Sequence, residues 1–350
     1  MRRFWTTVAA LALAAAAFGA DVPADAPPEP ELRPDGSLVI AQWNVENLYD
    51  FEDDLATTGD DAFSPGGWFG WNEALYRRKL TNIAEIVGGL KPDILCLEEV
   101  ENSRVLRDLR EILTNVFDWW MPYVVHRESH DPRGLDCAML SRVKPTKAKW
   151  IYTGPALHES PCIDFVVDGR PLLVIANHWK SRTGNSKISA AKREVQADKV
   201  RGEYRKRLAA DAALAILVTG DFNDRMTDRV PLECGPFRTN QTEVLEGGDS
   251  LFCLSALLPE GARDTFYFTS SKSWFSFDTM NVSRGLLPDG LPASPWVVDF
   301  ASYRVVDDEK LRLPPSGMPY PFREVRSGKE RQFHYGYSDH FPVIVTLRPR

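Results

Sequence analysis

An α/β fold in which sheets are sandwiched by helices is what this chain predicts, and three observations carry it. Short β-branched or aliphatic runs recur along the sequence, each bounded by polar or turn residues. Apolar residues at mixed three and four spacing fill several of the gaps between them, as amphipathic helices require. Strands and helices interleave without a clean break in composition, which favours one layered domain over two separate ones. A chain of 350 residues that is 43% hydrophobic and 26% charged can bury the core such a domain needs.

Met1-Arg2-Arg3, an alanine-rich apolar stretch from Val8 to Phe18, and small residues at Ala17, Gly19 and Ala20 read as a secretory signal peptide over residues 1–20. The apolar run is short for a membrane span, and no other stretch approaches the roughly 20 residues a spanning helix needs. No cysteine follows the run, so a lipoprotein is not expected. Export to a periplasmic or extracellular destination is the expectation. Residues 21–36, crowded with Pro, Asp and Glu, read as a solvated linker. The domain is expected over 37–350, as a monomer.

Within it, strands are expected at 38–43, 93–97, 122–126, 135–140, 171–177, 214–219, 295–306 and 341–347, mostly of a buried type. Helices are expected at 72–89, with Leu75, Ile83, Ile86, Val87 and Leu90, at 102–117, with Val105, Leu106, Leu109, Ile112 and Leu113, and at 187–213, polar on one face. No repeat at solenoid periods is present.

Loss of Arg2 and Arg3 with the leader would take the formal net charge from −7 to −9. An acidic protein argues against a high-affinity, sequence-independent duplex binder. It leaves room for an enzyme that turns over weakly held phosphodiesters, because a bound divalent cation supplies local positive charge. Five cysteines leave at least one unpaired. Cys96 and Cys137 sit in apolar runs and read as buried thiols. Cys234 and Cys253 flank a polar, glycine-containing insertion that a disulfide would close, with Cys162 as a competing partner. There is no C-x-x-C pair, hence no structural zinc site to expect.

The chemistry gathers at strand ends. Gly220-Asp221-Phe222-Asn223 follows the apolar run Leu214 to Thr219, Asn44 and Glu46 alternate after the first strand, and Glu98-Glu99 closes the second. Asn177-His178-Trp179-Lys180 ends another, and Ser338-Asp339-His340 precedes the last. Alternate residues leaving a strand aim at one point, and hard oxygen ligands suit Mg²⁺ or Ca²⁺. Taken singly, a Gly-Asp is most often a turn and a Glu-Glu a solvated helix start. Five such groups at one kind of structural position are hard to explain as independent turns.

Trp43-Asn44-Val45-Glu46-Asn47-Leu48, Leu97-Glu98-Glu99-Val100, Asn177-His178-Trp179-Lys180-Ser181, Gly220-Asp221-Phe222-Asn223 and Ser338-Asp339-His340-Phe341-Pro342 together resemble the ordered motifs of the endonuclease/exonuclease/phosphatase superfamily, from about Ser37 to the end of the chain. The resemblance implies a four-layered α/β sandwich, two packed mixed β-sheets flanked by helices, as in pancreatic-type deoxyribonuclease, with a divalent-metal phosphoesterase site at one rim. Glu99 would be the principal metal ligand, with Asn44 and Asp339 completing or supporting the shell of Mg²⁺, or of Mn²⁺ or Ca²⁺. Asp221 would orient or deprotonate the attacking water, and Asn223 would bond the phosphate or a second metal. His178 and His340 would flank the phosphorus, with Asp278 orienting His340; Thr279 departs from the aromatic or histidine more usual after that aspartate. Whether His340 or Asp221 takes the water's proton stays open. Arg133 either reaches the scissile phosphate or is a surface arginine in a turn. Lys180 and Asn223 can donate to non-bridging oxygens, the kind of charge stabilisation in-line displacement requires.

Three functions follow in order: a secreted nuclease-like phosphodiesterase on nucleic acid, a phosphatase or lipid phosphodiesterase of the same superfamily, and a non-catalytic binding module. The loop Ser64 to Trp71 offers Trp68, Phe69 and Trp71 to stack on bases, line a lipid-facing lip, or pack on the following helix. Tyr76, Arg77, Arg78 and Lys79, and a long loop 315–331 carrying Arg323, Arg326, Lys329 and Arg331, suggest a basic rim for a polyanion or other phosphate ester.

Overall fold

The computed structural model describes residues 30–54, 57–327 and 330–350, without the side chains of 325–327, 330 and 331. In chain order the strands are Leu38–Leu48 (β1), Ile94–Val100 (β2), Tyr123–Val125 (β3), Asp136–Ser141 (β4), Pro145–Ile151 (β5), Ser160–Val167 (β6), Arg170–His178 (β7), Ala215–Asp221 (β8), Phe237–Arg238 (β9), Leu251–Cys253 (β10), Phe266–Phe268 (β11), Ser273–Phe275 (β12), Asp278–Val282 (β13), Trp296–Val305 (β14), Arg312–Leu313 (β15), Met318–Pro319 (β16), Phe322–Ser327 (β17), Glu330–Tyr335 (β18) and Val343–Pro349 (β19). Glu73–Leu90 (α1), Ser103–Phe117 (α2) and Ser186–Ala210 (α3) are the long helices. Asn72, Asn102 and Asn185 cap them, each side chain accepting from two amides of the first turn.

One mixed sheet runs β14-β19-β1-β2-β4-β3 and the other β5-β6-β7-β8-β13-β10-β9. They pack face to face, β1 and β2 against β8 and β2 and β4 against β7. In the second sheet Val174, Ala176, Leu217 and Met280 point into the core between the sheets, while Leu173, Ile175, Ile216 and Val218 pack under Ala197, Val200 and Tyr204 of α3. Leu80, Ile83 and Val87 of α1 and Val105, Leu106 and Leu109 of α2 join the core on the first sheet. The result is the four-layered sandwich.

The expected helices lie within three residues of the observed ends. Among the expected strands β1, β2, β7 and β8 run further than their apolar text, because their polar ends stay paired. The hydrophobic pattern missed β5, β6 and β13. β13 reads Asp-Thr-Met-Asn-Val, yet it is fully buried beside β8. Its side chains make tertiary bonds, Asn281 Nδ2 donating to the Val218 carbonyl at 3.3 Å and Thr279 Oγ1 meeting Cys253 Sγ at 3.3 Å.

Three other expectations change. All five cysteines are free, so neither Cys234 nor Cys162 bridges Cys253, whose sulfur instead contacts the Ser255 and Thr279 hydroxyls. The stretch 315–331 is not a long loop, since β16, β17 and the start of β18 fall in it; Lys329 and the side chains of Arg326 and Arg331 lie outside the described residues. The expected leader and residues 21–29 also lie outside them, while the end of the expected linker is docked rather than solvated: Arg33 Nε donates to Asp93 at 2.9 Å. Among the described residues no helix is long and apolar enough to cross a membrane.

Candidate active site

Strand parity carries the polar residues to one place. Residues 174, 176 and 178 of β7 alternate toward the first sheet, as do 217, 219 and 221 of β8 and 278, 280 and 282 of β13. The register pairs His178 with Asp221 and Asp221 with Asp278, so all three side chains leave the inner face at the same rim. Gly220 makes this pairing feasible. Its φ is +141°, and a Cβ there would lie 1.9 Å from the Asn177 carbonyl oxygen. The residues between point the other way and anchor the loops: Trp179 and Phe222 are fully buried, their rings edge-on at 4.8 Å. From α3, Gln196 accepts from the Lys180 amide and donates to the His178 carbonyl.

From the first sheet come Gln42 and Asn44 of β1 and the end of β2. Both strands break register here, between Asn44 and Leu48 and around Glu99. Glu99 has φ +63° and Asn47 φ +51°, left-handed conformations that cluster at functional sites in non-glycine residues. This irregularity separates the two glutamates that the sequence offers as a pair. Glu99 faces a cavity of about 410 Å³. Glu98 is buried between the sheets, where Gln42 Nε2 donates to it at 2.7 Å and to Asp278 at 3.0 Å. Burial pushes the Glu98 carboxyl well up.

Asn47, Glu99, Arg133, His178, Asp221, Asn223, Asp339 and His340 line that cavity together. Lys180 is not among its lining residues; Ser181, Arg182 and Thr183 of the same segment are. Asp278 stands behind His340, accepting from Nδ1 at 2.7 Å. Asp221 Oδ2 lies 3.7 Å from Nε2 of both His178 and His340. Asn44 Nδ2 donates to Asp221 at 3.1 Å and reaches Glu99 at 3.4 Å, while its oxygen accepts from the Glu46 amide. That orientation suits holding the carboxylates in place rather than supplying a metal oxygen. Asn223 spends one Nδ2 hydrogen on the Trp179 carbonyl, and its amide donates to Asp221 at 2.9 Å. Asp339 is gripped by Arg323 at 2.9 Å, and Ser338 ties this segment to the Asn44 carbonyl at 2.6 Å.

The electrostatics differ between the two histidines. Burial, with His158, Arg133, His340 and Lys180 nearby, drives His178 well below its ordinary pKa, so its imidazole is neutral. Burial also opposes charge on His340, but the carboxylates of Asp278, Asp221 and Asp339 outweigh it and lift the pKa well above the usual value. Asp221 is pushed up to about 7 by burial, with His340 pulling the other way and Asp278 adding to the rise. Burial pushes Asp339 up, yet Arg323, His340 and Lys79 overcome it and hold the group low. The pair therefore has a charged imidazolium and a carboxyl poised near neutrality, the separation that acid–base work exploits.

Sequence reasoning missed His158. Its ring stacks on His178 with centroids 4.3 Å apart and planes 7° apart. Nδ1 donates to the Leu135 carbonyl at 2.7 Å, which leaves Nε2 to accept from Arg133 Nη2 at 3.3 Å. Arg133 is thus a held cation on the cavity wall, its backbone carbonyl fixed by Tyr49 Oη at 2.8 Å. Only the three-dimensional pairing of β6 with β7 brings His158, just before β6, to this place. The phenylalanine wall of Phe266, Phe268, Phe275 and Phe277 was missed as well. Of the expected basic rim, Arg77 pairs with Glu73 on the surface, Arg78 is exposed over the Tyr335 ring, and Lys79 is buried, donating to the Glu46 carbonyl. Of the aromatic loop, Trp71 is buried, Phe69 half-buried and Trp68 exposed.

Two carboxylates, Glu99 and Asp339, line the same cavity and offer it hard oxygen donors, with a third at Asp221. That donor set fits Mg²⁺ or another hard divalent cation. A layered sandwich with carboxylates, paired histidines and a clamped arginine at one rim defines a class of phosphate-ester hydrolases. The chain belongs to the Endonuclease/Exonuclease/phosphatase family, whose model matches residues 39–349. No curated protein matches it. Among solved structures it is similar to D. rerio TDP2 complexed with single strand DNA product, at 16% identity and a TM-score of 0.54 over 89% of this chain and 99% of that one. A humanized D. rerio TDP2 gives 15% identity and the same coverage and score. A mannosyl-6-phosphatase of Bacteroides thetaiotaomicron VPI-5482 gives 19% identity and a TM-score of 0.52 over 89% and 99%. At these identities the likeness establishes the fold.

Proposed function

We propose that the protein is an exported, divalent-metal-dependent phosphodiesterase that hydrolyses nucleic-acid phosphodiester bonds by in-line attack of water. The observation that carries this reading is the convergence of Glu99, Asp221, His178, His340 and Arg133 on one cavity. Glu99 and Asp339 would hold the metal, Mg²⁺ by donor type, which when bound supplies a Lewis acid for the phosphoryl oxygens. Arg133 and the second Asn223 hydrogen grip non-bridging oxygens. Neutral His178 donates from the cavity floor. Asp221, near neutrality, accepts the proton of the attacking water, and His340, kept charged by Asp278, neutralises the developing charge or delivers a proton to the leaving oxygen.

Export rests on the basic start and apolar run of residues 1–20. The phenylalanine wall also accommodates an acyl chain, which keeps a lipid phosphodiesterase as the second reading, and neighbours named for DNA and for a sugar phosphate leave the fold itself neutral on substrate. The test incubates purified protein in Mg²⁺ with plasmid DNA, RNA, bis-p-nitrophenyl phosphate, p-nitrophenyl phosphate and sphingomyelin. Cleavage of the diester and of nucleic acid is expected. Diester cleavage with intact nucleic acid would overturn the substrate, and inactivity on every ester in Mg²⁺, Mn²⁺ and Ca²⁺ would overturn the enzyme.

A further inference from the structure

The cavity has one wall that the hydrolytic chemistry does not use. Phe266, Phe268, Phe275 and Phe277 line it, contributed by the β11-β12 hairpin and the segment leading into Asp278. This hairpin is fixed to the catalytic rim, since Phe266 bridges His340 along the backbone and the Asp278 amide donates to Thr265 Oγ1 at 3.1 Å. Phe268 nevertheless keeps 42% of its surface exposed, and Arg225 lies 4.4 Å over the Phe275 ring. Aromatic faces supported by guanidinium groups are stacking platforms.

A second pocket, of about 210 Å³, adjoins the cavity at Asn47, which lines both. Its walls are Phe63, Phe69, Trp71, Phe322 and Phe333, with Arg323 at the edge. Arg323 is the residue that grips Asp339, so this pocket too is built onto the phosphate site. Among the described residues the phosphate site thus has an aromatic wall on its hairpin and an aromatic pocket beyond Asn47, the two sharing no phenylalanine.

We infer that the preferred substrate is a single-stranded nucleic acid, with one base beside the scissile phosphate stacked on the hairpin phenylalanines and the neighbouring base in the pocket beyond Asn47. The inference rests on the phosphodiesterase reading and specifies its substrate. Two flat rings divided between separate sites must be unstacked from each other, which a single strand allows and a duplex resists. A monoester would leave one of the two aromatic sites unused.

The test compares kcat/KM in Mg²⁺ on a single-stranded oligothymidylate and on methyl p-nitrophenyl phosphate, whose one ring fills at most one site, for the intact chain, Phe268→Ala and Phe69→Ala. Base–aromatic stacking corresponds to roughly 5- to 150-fold per base, so both variants should lose at least about fivefold on the oligonucleotide, and the variant at the site the nitrophenyl ring leaves empty should lose at least about fivefold more there than on the small ester. Phe333→Ala replaces Phe69→Ala if the latter does not fold. Equal losses on both substrates in both variants, faster cleavage of duplex than of single strand, or preference for a choline phospholipid would overturn the two-site assignment while leaving the hydrolase standing. Failure of the intact chain to hydrolyse methyl p-nitrophenyl phosphate would instead remove the phosphodiesterase reading beneath it.

Discussion

Replacing Asp278 by Asn removes one charge and, with the Asn oxygen kept on Gln42, turns an NH2 donor toward His340 Nδ1 in place of the accepting oxygen. His340 Nδ1 and Asp278 Oδ2 are 2.7 Å apart, and both side chains are buried. At an effective dielectric of about 20, unit charges roughly 4 Å apart attract by about 4 kcal/mol. If His340 acts as a cation in the transition state, that stabilisation is lost, and at about 1.36 kcal/mol per tenfold the rate falls on the order of 10³-fold. KM should change by less than about threefold, because Asp278 is not part of the cavity lining and the transition state, not the ground state, uses the charge. The Asn oxygen retains the bond from Gln42, but breaking the buried pair should lower the urea midpoint, so rates are compared where both proteins are folded. The assay is steady-state hydrolysis of bis-p-nitrophenyl phosphate at saturating Mg²⁺, with circular dichroism as the check on folding. A kcat within about tenfold of the parent would refute the role given to the His340–Asp278 pair.

Gly220→Ala forces a Cβ against the Asn177 carbonyl at an unfavourable φ, and should cost about 3 kcal/mol or more in urea unfolding; an unchanged midpoint would contradict the close strand approach. His158→Ala removes the acceptor that holds Arg133 and the ring stacked on His178. It should lower kcat/KM roughly 10- to 100-fold, as loss of a hydrogen bond to a charged group does, with partial recovery in His158→Gln; wild-type kinetics for His158→Ala would dismiss its role. Iodoacetamide without reductant should label half-buried Cys234 in the folded protein and reach all five cysteines only in urea. Burial pushes the thiols up, that of Cys162 to about 12, so the remaining four stay protonated and shielded. A peptide map that recovered a Cys234–Cys253 bridge would count against the structure.

The strands that end in site residues were legible because each joins an apolar run to a polar terminus, a text that a buried parallel strand with a functional end must have. The helices were legible from the spacing of their apolar residues. β13 was not, since the side chains of Asp278, Thr279 and Asn281 find partners distant in sequence and leave too few apolar residues to mark a strand. Asp278 was identified through family resemblance, and its contact with His340 depends on that hidden strand. The divergence of Glu98 and Glu99 was hidden for another reason: strand alternation alone separates neighbours, but the left-handed turn at Glu99 that aims it into the cavity has no signal in a glutamate. Lys79, set among basic neighbours in the sequence, is buried beneath the site where it donates to the Glu46 carbonyl and lies near the Phe322 ring, contacts no local pattern encodes.

The central claim is that two histidines and a divalent cation act together at this rim. It is tested most directly by the hydrolysis of bis-p-nitrophenyl phosphate by the intact chain, His178→Ala and His340→Ala, each with Mg²⁺ and after EDTA. EDTA should silence the intact chain, Mg²⁺ should restore it, and both variants should lose roughly 10²–10⁴-fold with an unaltered fold. Near-parental rates in both variants, or activity indifferent to EDTA, would contradict it.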